Sequence, residues 1–126
     1  MPIKTKRWND DQQADDGFRL LICRYRPRAL KKVDETWDAW WKDLGPSKEL
    51  HADFYGKHGP PIEWKAYRRR YLQEMKAQKQ KIAELARRVD AGETITLLCS
   101  SACVASDHCH RTLLKQLIEK EKLGGK

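Results

Sequence analysis

The chain has 126 residues, the length of one domain, and is long enough to bury a core without disulfides or a metal. Hydrophobic residues make up 40% and charged residues 35%, and five Trp, four Tyr and two Phe supply bulky anchors, which excludes a disordered tail. A net charge of +8 and a pI of about 9.4 raise the standing of polyanionic partners, nucleic acid included, without demanding one.

Ile3 to Trp8 is short, alternating and basic, and reads as an edge strand. The first ten residues carry charges with no apolar run behind them, and no stretch approaches the roughly 18 apolar residues of a membrane span. The expectation is a cytoplasmic protein with no membrane partner and four reduced cysteines. Asn9 to Asp16 is polar and acidic, a surface loop by composition. Gly17 opens Phe18 to Arg24, a compact apolar run read as a buried strand that Pro27 ends. Asp34 to Asp43 predicts a short helix, with Trp37, Trp40, Trp41 and Leu44 at i, i+3, i+4 and i+7, stopped by Gly45-Pro46. Those tryptophans read as core or as a dimer surface, and the oligomeric state stays open. Ser47 begins a further short turn toward Phe54, and His51 to Pro61 holds loop residues.

Ile62 to about Ala91 follows 3-4 spacing through Trp64, Tyr67, Tyr71, Met75, Ile82, Leu85 and Val89. Thirty helical residues would span about 45 Å, longer than one side of such a domain, so a bend, break or overhang is expected between Lys76 and Lys81. Glu93 to Cys99 is the second strand, and Asp107 to about Lys122 the last helix. The order predicts a single α/β domain over residues 1–126. Its small, mainly parallel sheet is flanked by helices, one of them long and basic, with helices on both faces and the two apolar strands paired in parallel.

Chemistry concentrates between Cys99 and Arg111, where a strand end feeds a helix start. In open α/β sheets ligands bind at the carboxyl ends of strands. The first strand delivers Cys23, Arg24, Arg26 and Arg28 to that edge, and the second delivers Cys99, with Cys109, His110 and Arg111 just beyond. A helix N-terminus offers free N–H donors, and arginine adds a bidentate fork for phosphate or carboxylate. This arrangement predicts a site for a small anionic ligand: Arg24, Arg28 and Arg111 supply charge, Ser100 and backbone donors complete the cradle, and Cys99 lines its floor. If chemistry occurs there, Cys99 or Cys109 is the nucleophile and His110 its base. The structural alternative pairs Arg24 and Arg28 with Asp34, Glu35 or Asp43, and leaves Cys23 and Cys99 as inert buried thiols.

Cysteine-dependent phosphatases share the layout but not the spacing. They place five residues between Cys and Arg, against seven, eleven and one from Cys103, Cys99 and Cys109 to Arg111, and the intervening loop lacks glycine. A structural zinc protein is another reading, drawing on Cys99, Cys103, His108, Cys109 and His110, although adjacent residues 108–110 cannot all point one way. A nucleic-acid-binding module on the long helix is the remaining one: Arg68-Arg69-Arg70, Lys76, Lys79, Lys81, Arg87 and Arg88 lie among Trp64, Tyr67 and Tyr71. There the aromatics share the apolar stripe and read as core, the charges as a solvated face.

Asp15 to Arg24, Pro27-Arg28, Trp41 to Leu50, Trp64 to Tyr71 and Thr94 to Leu98, in this order and spacing, resemble the family known as domain of unknown function 488, best its YeaO-like branch. The resemblance implies a small cytoplasmic bacterial or archaeal α/β protein and no particular reaction. This chain departs from the branch at Cys23, where Asp is usual, at Tyr25-Arg26, where Leu-Trp is usual, and at Ala29, where Gly is usual. Leu97-Leu98-Cys99 and Cys109-His110-Arg111 resemble the family's other branch instead.

Overall fold

The computed structural model describes residues 3–27, 30–99 and 109–124. It is an α/β domain built on one four-stranded parallel sheet. The strands are β1 (Ile3–Arg7), β2 (Phe18–Leu21), β3 (Ala39–Trp40) and β4 (Ile95–Cys99), in the order β1-β4-β2-β3. The two apolar runs read as strands are neighbours, as expected. Phe18 lies opposite Ile95 and Leu21 opposite Leu98, and the Ile22 amide extends the ladder by donating to the Leu98 carbonyl at 3.0 Å. Every residue of β4 is buried, which accounts for its unbroken apolar sequence in place of alternation. β1 is the edge strand the sequence suggests.

The α-helices among the described residues are α1 (Lys48–Phe54), α2 (Trp64–Met75), α3 (Lys79–Asp90) and α4 (His110–Gly124). Ser47 caps α1, its hydroxyl accepting from the Leu50 amide at 3.1 Å. The long apolar stripe becomes α2 and α3, separated by a 3-10 turn over Lys76–Gln78, inside the stretch where its length requires a break. Trp64, Tyr67, Tyr71, Met75, Ile82, Leu85 and Val89 all join one core with Ile3, Leu20, Ile22, Ile95 and Leu97 of the sheet and Leu113, Leu114 and Ile118 of α4.

Two expectations are corrected. The segment Asp34–Asp43 is not a helix: it holds 3-10 turns at Lys32–Asp34 and Lys42–Leu44 with β3 between them. Strand pairing outweighs the helical spacing of the tryptophans, because the Asp38 amide donates to the Arg19 carbonyl at 2.7 Å and its carboxylate accepts from the Arg19 amide at 2.9 Å. The tryptophans consequently part company. Trp37 packs against Leu21 and Leu98, Trp41 against the helical core, and the Trp40 indole donates to the Cys23 carbonyl at 2.8 Å. The second correction concerns the layers. Among the described residues the helices gather on one face, that of Leu20, Ile22, Ile95 and Leu97. The face of Leu21 and Leu98 is covered by Trp8 and Trp37. No helix among the described residues is long and apolar enough to cross a membrane.

Candidate functional site

β4 ends at Cys99 with its carboxyl edge between β1 and β2, and the Trp8 amide fixes that end by donating to the Cys99 carbonyl at 2.8 Å. Beyond β2, Cys23 comes alongside and hydrogen-bonds Cys99 through its side chain. Gly45 makes this junction possible. A β-carbon there would lie 2.7 Å from the Arg24 nitrogen and 2.8 Å from the Ile22 oxygen, both backbone atoms, so no other residue fits against the strand end.

Cys109 and the first turn of α4 complete the cluster. Cys109 Sγ lies 3.1 Å from Cys99 Sγ, and His110 Nδ1 lies 3.9 Å from it, at the outer reach of a contact to sulfur. His110 Nε2 is 2.9 Å from the Ile22 carbonyl, which can only accept, so Nε2 carries a proton. In the neutral ring the Nδ1 lone pair then faces Cys99 and can take the thiol proton. Burial disfavours the charged ring, but the Cys99 charge and hydrogen bond, together with the Ile22 carbonyl, outweigh it and raise the His110 pKa above its ordinary 6.5. The hydrogen bond to Cys99 and then burial push the Cys23 thiol up, so it remains S–H. Arg111, 6% exposed, adds positive charge that acts on Cys23, His110 and Asp10. Cys99 and Cys23 are free thiols, whereas Cys109 is disulfide-bonded, so the expectation of four reduced cysteines does not describe this state.

Of the predicted site residues, Cys99, Cys109, His110 and Arg111 are brought together. Arg24 is not among them: its Nε donates to the Pro46 carbonyl at 2.8 Å and a terminal nitrogen lies 3.8 Å from Asp43. Arg26 pairs with Glu35 at 2.7 Å. Arg28, Ser100, Cys103 and His108 lie outside the described residues. Cys99, Cys109 and His110 present three ligand atoms within 4.8 Å of one another. With Cys109 in a disulfide, Cys99 and His110 are the donors left among the described residues.

The long basic stretch divides as its sequence suggests. Tyr67 and Tyr71 are buried, with the Tyr71 hydroxyl donating to the Leu44 carbonyl at 2.7 Å, while Arg68 and Arg69 are exposed and Arg70 pairs with Asp53 at 2.8 Å.

The sequence reading missed a second buried polar cluster. Asp16, assigned to a surface loop, is 1% exposed. Its carboxylate accepts from Lys6 at 2.8 Å, Lys4 at 3.2 Å, the Gln13 amide at 3.1 Å and the Arg19 guanidinium. Arg19 in turn donates to the Thr36 carbonyl at 2.6 Å. The signal was available: a charged residue inside the apolar run Phe18 to Cys23 requires a buried partner.

A profile of the family described as the active DUF488-N3 subclade matches residues 3–122. The chain belongs to this family. Among its relatives, YeaO of Escherichia coli strain K12 is 33% identical over 111 residues, covering 86% of this chain and 90% of YeaO. Mb3100c of Mycobacterium bovis and Rv3073c of Mycobacterium tuberculosis are each 31% identical over 116 residues, covering 92% of both chains. All three carry the name of uncharacterized proteins. No solved structure matches the chain.

Proposed function

We propose that the carboxyl edge of the sheet is a thiol-chemistry site in which Cys99 is the nucleophile, His110 its proton acceptor, and Arg111 with the α4 N-terminus biases the site toward small anionic substrates. One observation carries the reading: His110 is held by Ile22 so that its Nδ1 faces the Cys99 sulfur. A thiol is weakly nucleophilic until a base removes its proton, and a ring oriented by a third group is the usual means of doing so. The positive end of a 15-residue helix and the Arg111 guanidinium favour the resulting thiolate. They also favour an approaching carboxylate or phosphate. Cys23 hydrogen-bonds Cys99 and stays protonated itself. The description of the matched family as active supports a reactive site over a purely structural one. Placement in the cytoplasm, the compartment expected from the sequence, would supply the reducing conditions that such a thiol needs.

Alkylation of the fully reduced protein tests this. Iodoacetate, an anion, is expected to modify Cys99 about tenfold faster than neutral iodoacetamide, with the preference lost in Arg111→Gln. Equal rates for the two reagents in the wild type would remove the anionic substrate. No reaction of Cys99 until the protein is unfolded would remove the nucleophile.

A further inference from the structure

The thiol chemistry makes no use of the long charged surface formed by α2, the 3-10 turn after it and α3. These elements carry nine cations between Trp64 and Asp90. Three have carboxylate partners: Arg70 with Asp53 at 2.8 Å, Lys81 with Asp43 at 3.9 Å, and Arg88 with Glu93 at 2.9 Å. The other six, Lys65, Arg68, Arg69, Lys76, Lys79 and Arg87, are all exposed, and none forms an ion pair among the described residues. The acids follow the same division. Glu74 is engaged by α1, accepting from the Ser47 amide at 2.8 Å, and Glu84 is the one exposed acid between Lys65 and Arg87. A helix face whose charges serve only to keep it in water intersperses the two signs and pairs them at helical spacing. Here six unpaired cations stand against one acid over about 33 Å of helix axis.

We propose that the outward side of α2 and α3 is a docking surface for duplex nucleic acid, held through its phosphates. Charge complementarity selects a polyanion, and a duplex presents about twenty phosphate charges over about 33 Å. Two other polyanionic partners fit less well. Single strands are gripped by stacking their bases on exposed aromatic rings. The aromatics of these helices are spent on the core: Tyr67 and Tyr71 are buried, and Trp64 packs against the same cluster. An anionic membrane surface takes up a helix that adds large apolar side chains to its cations. None of the exposed large hydrophobics lies on α2 or α3. The surface involves no residue of the thiol site, and the two proposals stand or fall separately.

Fluorescence anisotropy of the whole chain with a labelled DNA duplex of mixed sequence, about 30 base pairs long, tests it. Binding is expected at about 50 mM salt, and its affinity is expected to fall about a thousandfold by about 200 mM if all six cations meet phosphates. Arg68→Ala, Arg69→Ala and Lys76→Ala together are expected to weaken binding at least about tenfold and to reduce the slope of log affinity against log salt by about 3. The control removes three exposed lysines elsewhere, Lys31→Ala, Lys32→Ala and Lys57→Ala, and so lowers the net charge equally. It is expected to cost less than about threefold, because those lysines lie off the surface. Equal losses in the two triple variants would mean that net charge alone governs binding and would overturn the proposal. So would a wild type that leaves the duplex unbound at the lower salt. Tighter binding to single-stranded oligo-dT, or to vesicles of phosphatidylcholine and phosphatidylserine, than to the duplex would also overturn it. Should the alanine variant fail to fold, glutamine at the same three positions removes the same charges while keeping a good helix former.

Discussion

The sheet carries two buried polar clusters of opposite character. Around Asp16, hard charges are paired by hydrogen bonds: one carboxylate, two ammonium groups, one guanidinium and a backbone amide. At the carboxyl edge, soft groups meet at looser contacts, with a sulfur 3.9 Å from an imidazole and 3.1 Å from a second sulfur. In the first arrangement every charged group has an oppositely charged partner within hydrogen-bond reach. In the reading proposed above, the second holds a thiol and a base close enough for a proton to pass between them. The difference separates a cluster of paired charges from one proposed to do chemistry, although both are buried and both contain arginine.

Breaking the first cluster is expected to have the largest effect. Asp16→Ala strips Lys6 and Arg19 of their carboxylate, leaving Lys4 with Asp15 at 2.8 Å, and is expected to cost about 3–5 kcal/mol, read from urea denaturation. Its pH dependence has a definite sign. Burial opposes ionisation of Asp16, but hydrogen bonds from Lys6, the Gln13 amide and Lys4 outweigh it and hold the carboxyl well below its ordinary 3.8. Its contribution is therefore present in full above about 3.8 and lost as the pH falls from there toward the folded value. Next comes Gly45→Ala, which drives a methyl group into the backbone of Ile22 to Arg24 and is expected to cost about 1–3 kcal/mol in the same measurement.

The second cluster responds at the other end of the pH scale. The raised His110 pKa makes its contribution full below about 6.5 and lost as the pH rises through the folded value. The groups acting on the ring are Cys99 from β4, Arg111 from α4, the Ile22 carbonyl beyond the end of β2, and Tyr71 from α2 with its ring 5.6 Å away. His51 and Tyr55, within the field of Cys99, lie beyond them. The melting temperature of the wild type minus that of His110→Gln is expected to shrink from pH 6 to pH 9, and a gap that widens would contradict the assignment. The smallest effect belongs to the exposed cations: Arg68→Ala with Arg69→Ala is expected to change stability by no more than about 0.5 kcal/mol. If that double variant also lost salt-dependent binding to generic DNA while Arg111→Gln kept it, the long basic stretch would acquire a role of its own.

The parallel pairing of β2 and β4 was legible because two uninterrupted apolar runs admit little else in a chain of this size. The division of the long helix followed from length alone. The segment from Asp34 to Asp43 misled because three tryptophans at helical spacing also suit an edge strand and its turns, and the partner that decides, Arg19, lies fifteen or more residues away. The site was half legible. Cys99, Cys109, His110 and Arg111 are close in sequence and joined by one strand and one helix, so their meeting follows from local structure. Arg24 and Arg26 sit on the far side of a chain turn, where carbonyls and carboxylates of Pro46, Asp43 and Glu35 claim them. No spacing rule announces such tertiary partners.

The two free thiols offer the most direct test, because burial and chemistry order them oppositely. Cys99 is 2% exposed and Cys23 is 7% exposed. The measurement is the alkylation rate of each thiol in reduced, folded protein at pH 7, with the modified residue located by mass. A nucleophilic Cys99 beside His110 is expected to outpace the protonated Cys23 by about a hundredfold despite its deeper burial. Equal rates, or a faster Cys23, would mean that exposure alone governs both and that the carboxyl edge holds no activated thiol.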